Sequence, residues 1–184
     1  MKYNKIILIM LIAGLLINVS AYAGDEKTES KSDGNKPATA IEWLSYDDGL
    51  VKAKKEGKHL FIDFTAKWCG WCKKMDKTTF VEPEIVKMLN NDFVAVKVWG
   101  DSNNELDIEG YKITEKNLTS KDYKVRGYPT FWFLDPAGTK LGAVSGYQHA
   151  TNLMSYLEYV KNKNYEEKSP ADESGDNDNK DEKK

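Results

Sequence analysis

His59-Leu60-Phe61-Ile62-Asp63-Phe64-Thr65-Ala66-Lys67-Trp68-Cys69-Gly70-Trp71-Cys72-Lys73-Lys74-Met75 places a hydrophobic run, a Cys-x-x-Cys and a charged stretch in direct succession. The first part reads as a buried strand and the last as a helix. Cys69 and Cys72 are the only cysteines in the chain. At a strand-to-helix turn Cys69 falls at the helix N-terminus, where free N–H groups and the dipole favour a thiolate. Cys72 lies one helical turn further along the same face, so the two sulfurs can meet. One cysteine can attack a disulfide and the other can resolve the mixed intermediate. Three readings fit the pair: a thiol–disulfide redox couple, a metal site, or a structural disulfide. Tetrahedral zinc needs four ligands, and only His59 and His149 could join the cysteines. The strand–turn–helix context favours the redox couple, with no metal.

Outward from this stretch, the 184 residues suffice for one domain once flanking segments are set aside. A hydrophobic content of 40% and a charged content of 30% place the chain in the globular class. The net charge of -2 leaves no basic excess for phosphates, so no nucleic-acid partner is expected. Lys2 and Lys5, the apolar run 6–17 and the small-x-small Ala21-Tyr22-Ala23 read as a signal peptide over 1–23 with a cleavage site after Ala23, or as an uncleaved N-terminal anchor. The protein is therefore expected to be exported, periplasmic or secreted, where disulfides persist. Residues 24–40 read as a flexible linker and 163–184 as a disordered charged tail, since neither has much to bury.

Between them, 41–162 reads as one folded domain. Residues 41–44 could add an edge strand or packing arm. Asp47 or Asp48 can cap a helix that Gly57 ends. The helix after Cys72 continues toward Phe80, and Pro83 falls at a break or in the first turn of the next helix. Ile85, Val86, Met88 and Leu89 recur at helical spacing. Residues 93–99 form a second apolar strand. The polar stretch 100–119 shows no strong period and reads as an irregular insertion or a loop with a short helix. Residues 131–135 make a third strand, 135–138 a turn, and 140–144 its hairpin partner. Thr151 or Asn152 can cap a last helix with a stripe of Leu153, Met154, Leu157 and Val160. Alternating strands and helices with a late hairpin give an α/β fold whose central mixed β-sheet is flanked by helices on both faces.

Three motifs in this order resemble the thioredoxin superfamily. Phe64 to Lys73 is similar to its active-site block, Val125-Arg126-Gly127-Tyr128-Pro129-Thr130 to its cis-proline signature, and Gly146 to its later glycine. The flanks look most similar to exported thioredoxin-like proteins, including the C-terminal domain of the transmembrane disulfide reductases. The resemblance implies a thioredoxin fold. It implies Cys69 as the exposed nucleophile, Cys72 as a more buried resolving thiol, and Trp68 as a cover over the pair. Asp63 interrupts an apolar strand, where an unpaired carboxylate is costly. The resemblance implies that it takes the proton of Cys72 during resolution, with its pKa raised by burial. Lys97 likewise interrupts a strand; the resemblance implies a pair with Asp63, and an ordinary exposed lysine fits equally well. A cis bond before Pro129 would expose the Tyr128 backbone to a substrate strand.

The chain departs from thioredoxin itself between the cysteines, where Gly70-Trp71 stands in place of Gly-Pro. That leaves the potential open and makes Trp71 and Gly70 candidate substrate contacts. The function expected is therefore an exported thiol–disulfide oxidoreductase that reduces disulfides of exported proteins. A membrane thiol reductase would recharge it, and it would act as a monomer without a cofactor beyond the Cys69–Cys72 disulfide. A disulfide oxidase or isomerase would use the same residues, and a non-catalytic client-binding module would use the Tyr128-Pro129 groove.

Overall fold

The computed structural model describes residues 39–166. The expected signal peptide, nearly all of the linker and the tail from 167 onward lie outside the described residues. In chain order these residues form α1 (Tyr46–Glu56), β1 (His59–Thr65), α2 (Gly70–Lys77), α3 (Pro83–Asp92), β2 (Phe93–Trp99), β3 (Glu105–Ile108), β4 (Tyr111–Thr114) and α4 (Glu115–Asn117). A π-helical turn (Leu118–Asp122), β5 (Thr130–Leu134), β6 (Lys140–Ser145), α5 (Ala150–Lys161) and a 3-10 turn (Asn164–Glu166) follow.

The main sheet has the order β2-β1-β5-β6. β2 runs parallel to β1, while β5 and β6 run antiparallel to their neighbours, so the sheet is mixed. β1 is buried at all of its positions, which is why it reads as a continuous apolar run. Its two-residue period divides the core. Leu60, Ile62 and Phe64 pack with Val94, Val96 and Val98 on the side of α1. Phe61 packs with Phe93, Phe131 and Phe133 against Met75 of α2, Leu89 of α3 and Leu157 of α5. Helices thus cover both faces. Asp63 shares the Phe61 face, directed toward α2, by the same alternation.

Several local expectations change. Ser45, not Asp47 or Asp48, caps α1: its Oγ accepts from the Asp48 N–H at 3.3 Å, and both acids sit in the first turn. Gly57 closes α1 in the left-handed region at φ 65°. α2 stops at Lys77 rather than near Phe80, with the Phe80 N–H turned back to the Met75 carbonyl at 3.0 Å. Pro83 occupies the first turn of α3, as expected. His149 precedes α5, so neither Thr151 nor Asn152 is its cap. The arm before α1 reaches β2 through one bridge, Leu44 to Val96.

Two differences are larger. Residues 100–119 hold the short helix expected, α4, but the rest is not an irregular loop: β3 and β4 form a hairpin with Leu106 opposite Ile113, both buried. Its two turn residues, Glu109 and Gly110, have φ of 52° and 91°, the left-handed pair that a tight hairpin turn requires. The ordered chain also runs past Asn162. Tyr165 lies within the segment read as tail, and its hydroxyl is 2.7 Å from the Nε2 of buried His59.

Candidate functional site

α2 starts one residue after Cys69, and the sequence supplies no Ser, Thr, Asp or Asn to cap it. The cysteine takes that place: its Sγ accepts from the Cys72 N–H at 3.0 Å. Cys69 and Cys72 are joined as a disulfide, with Cα atoms 5.3 Å apart. The expected contrast in burial does not appear, since each cysteine is 4% exposed. Ala66 and Tyr128 pack against the pair and cover both members. The exposed groups are their neighbours, Trp68 at 70% and Trp71 at 57%.

Each tryptophan leans on a different loop. Trp68 meets Tyr128 edge-on at 5.6 Å between centroids, and Trp71 meets Tyr147 at 5.6 Å. Lys74 Nζ stands 4.9 Å from the Trp71 ring centre and 4.8 Å from that of Tyr147. The Tyr128-Pro129 bond is cis. Its loop is fastened by the Thr130 hydroxyl donating to the Gly127 carbonyl at 2.8 Å. The Gly146 N–H donates to the Pro129 carbonyl at the same distance. The structure thus brings Trp68, Cys69, Gly70, Trp71, Cys72, Tyr128 and Pro129 together on one face.

Asp63, 2% exposed, is linked through Lys97 to Asp76 of α2, the helix that Cys69 caps. Its Oδ2 is 3.3 Å from Lys97 Nζ, and its Oδ1 is buried with no hydrogen-bond partner among the described residues. Burial pushes its pKa up to about 6 despite the attraction of Lys97, and the charge of Asp76 adds to the rise. Asp76 was not singled out in the sequence. It accepts a hydrogen bond from the same Lys97 at 2.7 Å, so one ammonium serves two carboxylates. A signal existed: Asp76 is four residues after Cys72 and therefore on its side of the helix. A cavity of about 260 Å³ behind Cys72 is bordered by Thr65, Lys73, Asp76 and Trp99.

The segment after β2 braces the loop that carries the cysteines. The Gly100 N–H donates to the Thr65 carbonyl at 2.8 Å, and Asp101 Oδ2 accepts from the Lys67 N–H at 2.9 Å. Glu115, itself buried, accepts from the Trp99 N–H at 3.0 Å. Asp101 and Glu115 each hold a second buried oxygen without a hydrogen-bond partner among the described residues. Sequence reasoning missed both, because a short polar hairpin carries little periodic signal. Gly100 has a tighter requirement: a Cβ there would overlap the Tyr128 hydroxyl and stand 2.6 Å from its Cζ. Gly100→Ala should therefore swing Tyr128 off the cysteine pair. The expected result is thiol–disulfide exchange slowed about 10- to 100-fold with little loss of melting temperature. Stopped-flow exchange kinetics beside a thermal scan check this, and an unchanged rate would contradict it.

Of the two histidines, only His149 comes near this face, its ring edge-on to Tyr147 at 5.0 Å between centroids. His59 is at the opposite end of β1 and His149 precedes α5. Among the described residues no group of three or more His, Cys, Asp or Glu side chains is placed to hold a metal ion.

Comparison with known proteins places this geometry. The model of a thioredoxin-like domain matches residues 46–161. The chain is similar to the thiol:disulfide interchange protein DsbD of Campylobacter jejuni, 29% identical over 164 residues that cover 85% of this chain and 27% of that one. It is similar to the protein of the same name from Salmonella typhi, 29% identical over 162 residues that cover 84% and 26%. The chain thus spans about a quarter of the length of these relatives. Among solved structures, a thioredoxin from Thermus thermophilus superposes with a TM-score of 0.55 at 25% identity, covering 66% of this chain and 87% of that one. A putative disulphide-isomerase from Bacteroides thetaiotaomicron gives 0.53 at 29%, covering 72% and 100%. With its sheet order, its paired cysteines at the start of α2 and its cis-proline loop, the chain belongs to the thioredoxin-like domain family.

Proposed function

We propose that this protein is an exported thiol–disulfide oxidoreductase that reduces disulfides of other exported proteins. The observation that carries this reading is the Cys69–Cys72 disulfide capping α2 between two exposed tryptophans, with a buried carboxylate linked to α2 through Lys97. In the reduced protein the Cys69 thiolate, favoured by the helix N-terminus, attacks a partner disulfide. A mixed disulfide forms and one partner thiolate leaves. Asp63, whose pKa near about 6 suits it to proton transfer, takes the proton of Cys72. Cys72 then attacks Cys69, the second partner thiol is released, and two electrons have passed to the partner. Lys97 and Asp76 hold the charge balance around Asp63, and Asp76 also borders the cavity behind Cys72.

Export rests on the signal-like residues 1–23. The similarity to thiol:disulfide interchange proteins supports a periplasmic setting and a membrane thiol reductase as electron donor. Trp68, Gly70, Trp71 and Tyr128 are the surface that meets the partner, and the buried Pro129 sets the Tyr128 backbone through its cis bond. No cofactor is required, since the cysteine pair itself carries the electrons, and a monomer suffices. The test is insulin reduction by dithiothreitol with catalytic amounts of the protein. Acceleration by the wild type and none by the Cys69→Ser/Cys72→Ser variant is expected. No acceleration by the wild type overturns the reading.

A further inference from the structure

Three segments border the Cys69–Cys72 bond. They are residues 67–74, the cis-proline loop 125–130, and residues 146–149, drawn together by the Trp68–Tyr128 and Trp71–Tyr147 contacts. The permanently charged side chains on them are Lys67, Lys73, Lys74 and Arg126, all exposed, and the three segments contain no aspartate or glutamate. The whole chain has a net charge of -2, so this excess is local to the site. Three acids lie around these segments: Asp76, Asp101 and the exposed Asp122, which precedes the cis-proline loop. Asp76 holds Lys97 at 2.7 Å, and Asp101 uses Oδ2 on the Lys67 N–H while its Oδ1 is buried. Lys74 lies against the Trp71 and Tyr147 rings, which keeps its ammonium beside the exposed Trp71. Four exposed cations on the segments themselves, against acids set at their margins, attract an approaching anionic surface and resist a cationic one.

We propose that this face selects partners whose reactive cysteine lies in an acidic segment, with carboxylates within a few residues of the sulfur. The inference rests on the oxidoreductase reading and names the class of partner for it. In each turnover the Cys69 thiolate forms a bond to one partner sulfur and the other leaves as thiolate. Cys72 then closes the Cys69–Cys72 bond and frees the second partner thiol. The two electrons come from the protein's own dithiol, loaded beforehand with dithiothreitol.

The test uses the protein reduced and freed of excess reductant. It measures single-turnover rates with three disulfide-linked short peptides whose cysteine is flanked by Glu, Gln or Lys. Each rate is divided by that of the same peptide with free dithiothreitol, which removes differences in intrinsic reactivity. At low salt the normalised Glu-to-Lys ratio should exceed about 10, and it should fall severalfold at about 0.5 M salt, where screening reaches only a few ångströms. Lys73→Glu with Lys74→Glu should bring the ratio to about one or below. Equal normalised rates for the three peptides, or a ratio indifferent to salt, overturn the inference while leaving the enzyme reading intact. No reaction with any peptide removes the enzyme reading, and this inference with it.

Discussion

Cys69→Ser should reduce thiol–disulfide exchange to the uncatalysed background, a loss on the order of 10³-fold or more, while Cys72→Ser should trap partners instead. The two cysteines are equally buried, so exposure does not assign their roles. Position does. Cys69 caps α2 and its sulfur accepts the Cys72 N–H, so a thiolate there gains both the hydrogen bond and the helix N-terminus. Cys72 lies inside the first turn and lacks that position. With Cys72→Ser the attack by Cys69 still occurs, but nothing releases the partner, and a stable mixed disulfide accumulates. Non-reducing electrophoresis after exposure to a model disulfide reads both outcomes. Accumulation by Cys69→Ser in place of Cys72→Ser would reverse the assignment.

Asp63→Asn should make the oxidised protein more stable and the reduced protein slower. Asp63 is buried, and its pKa stands near about 6 against an ordinary 3.8. Between those values the folded state holds a proton that the unfolded state has released. Stability therefore falls as pH rises through this window, and the ionised carboxylate is a full burden above about pH 6. Asparagine removes the charge, and Lys97 keeps Asp76 as its partner. The gain at pH 8 should be on the order of 2–3 kcal/mol, shrinking as pH falls and vanishing below about pH 4. The same change removes the proton acceptor, so resolution at neutral pH should slow roughly 10²-fold. Denaturant unfolding across pH, beside single-turnover kinetics, checks both halves. A variant that is less stable at pH 8, or equally fast, would contradict this role for Asp63.

Much of this site is legible in the sequence because its residues break strong local patterns. A charged residue in the middle of the apolar β1 marks Asp63, and Lys97 breaks β2 in the same way. The structure pairs them in register as sheet neighbours. The cysteine spacing and the Tyr128-Pro129 signature need no tertiary information. The remaining parts depend on contacts that local pattern does not encode. Asp76 looks like an ordinary polar residue on α2 until Lys97 is seen to reach it. The β3–β4 hairpin hides because its strands have four residues each and its turn is Glu-Gly rather than Asn-Gly. Tyr165 sits in a polar stretch and joins the fold through His59, more than a hundred residues earlier in sequence. Tyr128, from a distant loop, packs on the cysteine pair, so a place at the helix start does not leave Cys69 exposed.

The reduction potential of the Cys69–Cys72 couple, measured by equilibration with thiol buffers, tests the central claim most directly. A reversible two-electron couple near about −270 mV is the expected result, at the reducing end of the oxidoreductase scale. A couple near about −120 mV would make the protein an oxidant and reverse the flow of electrons. No reversible couple at all would contradict the account of this site.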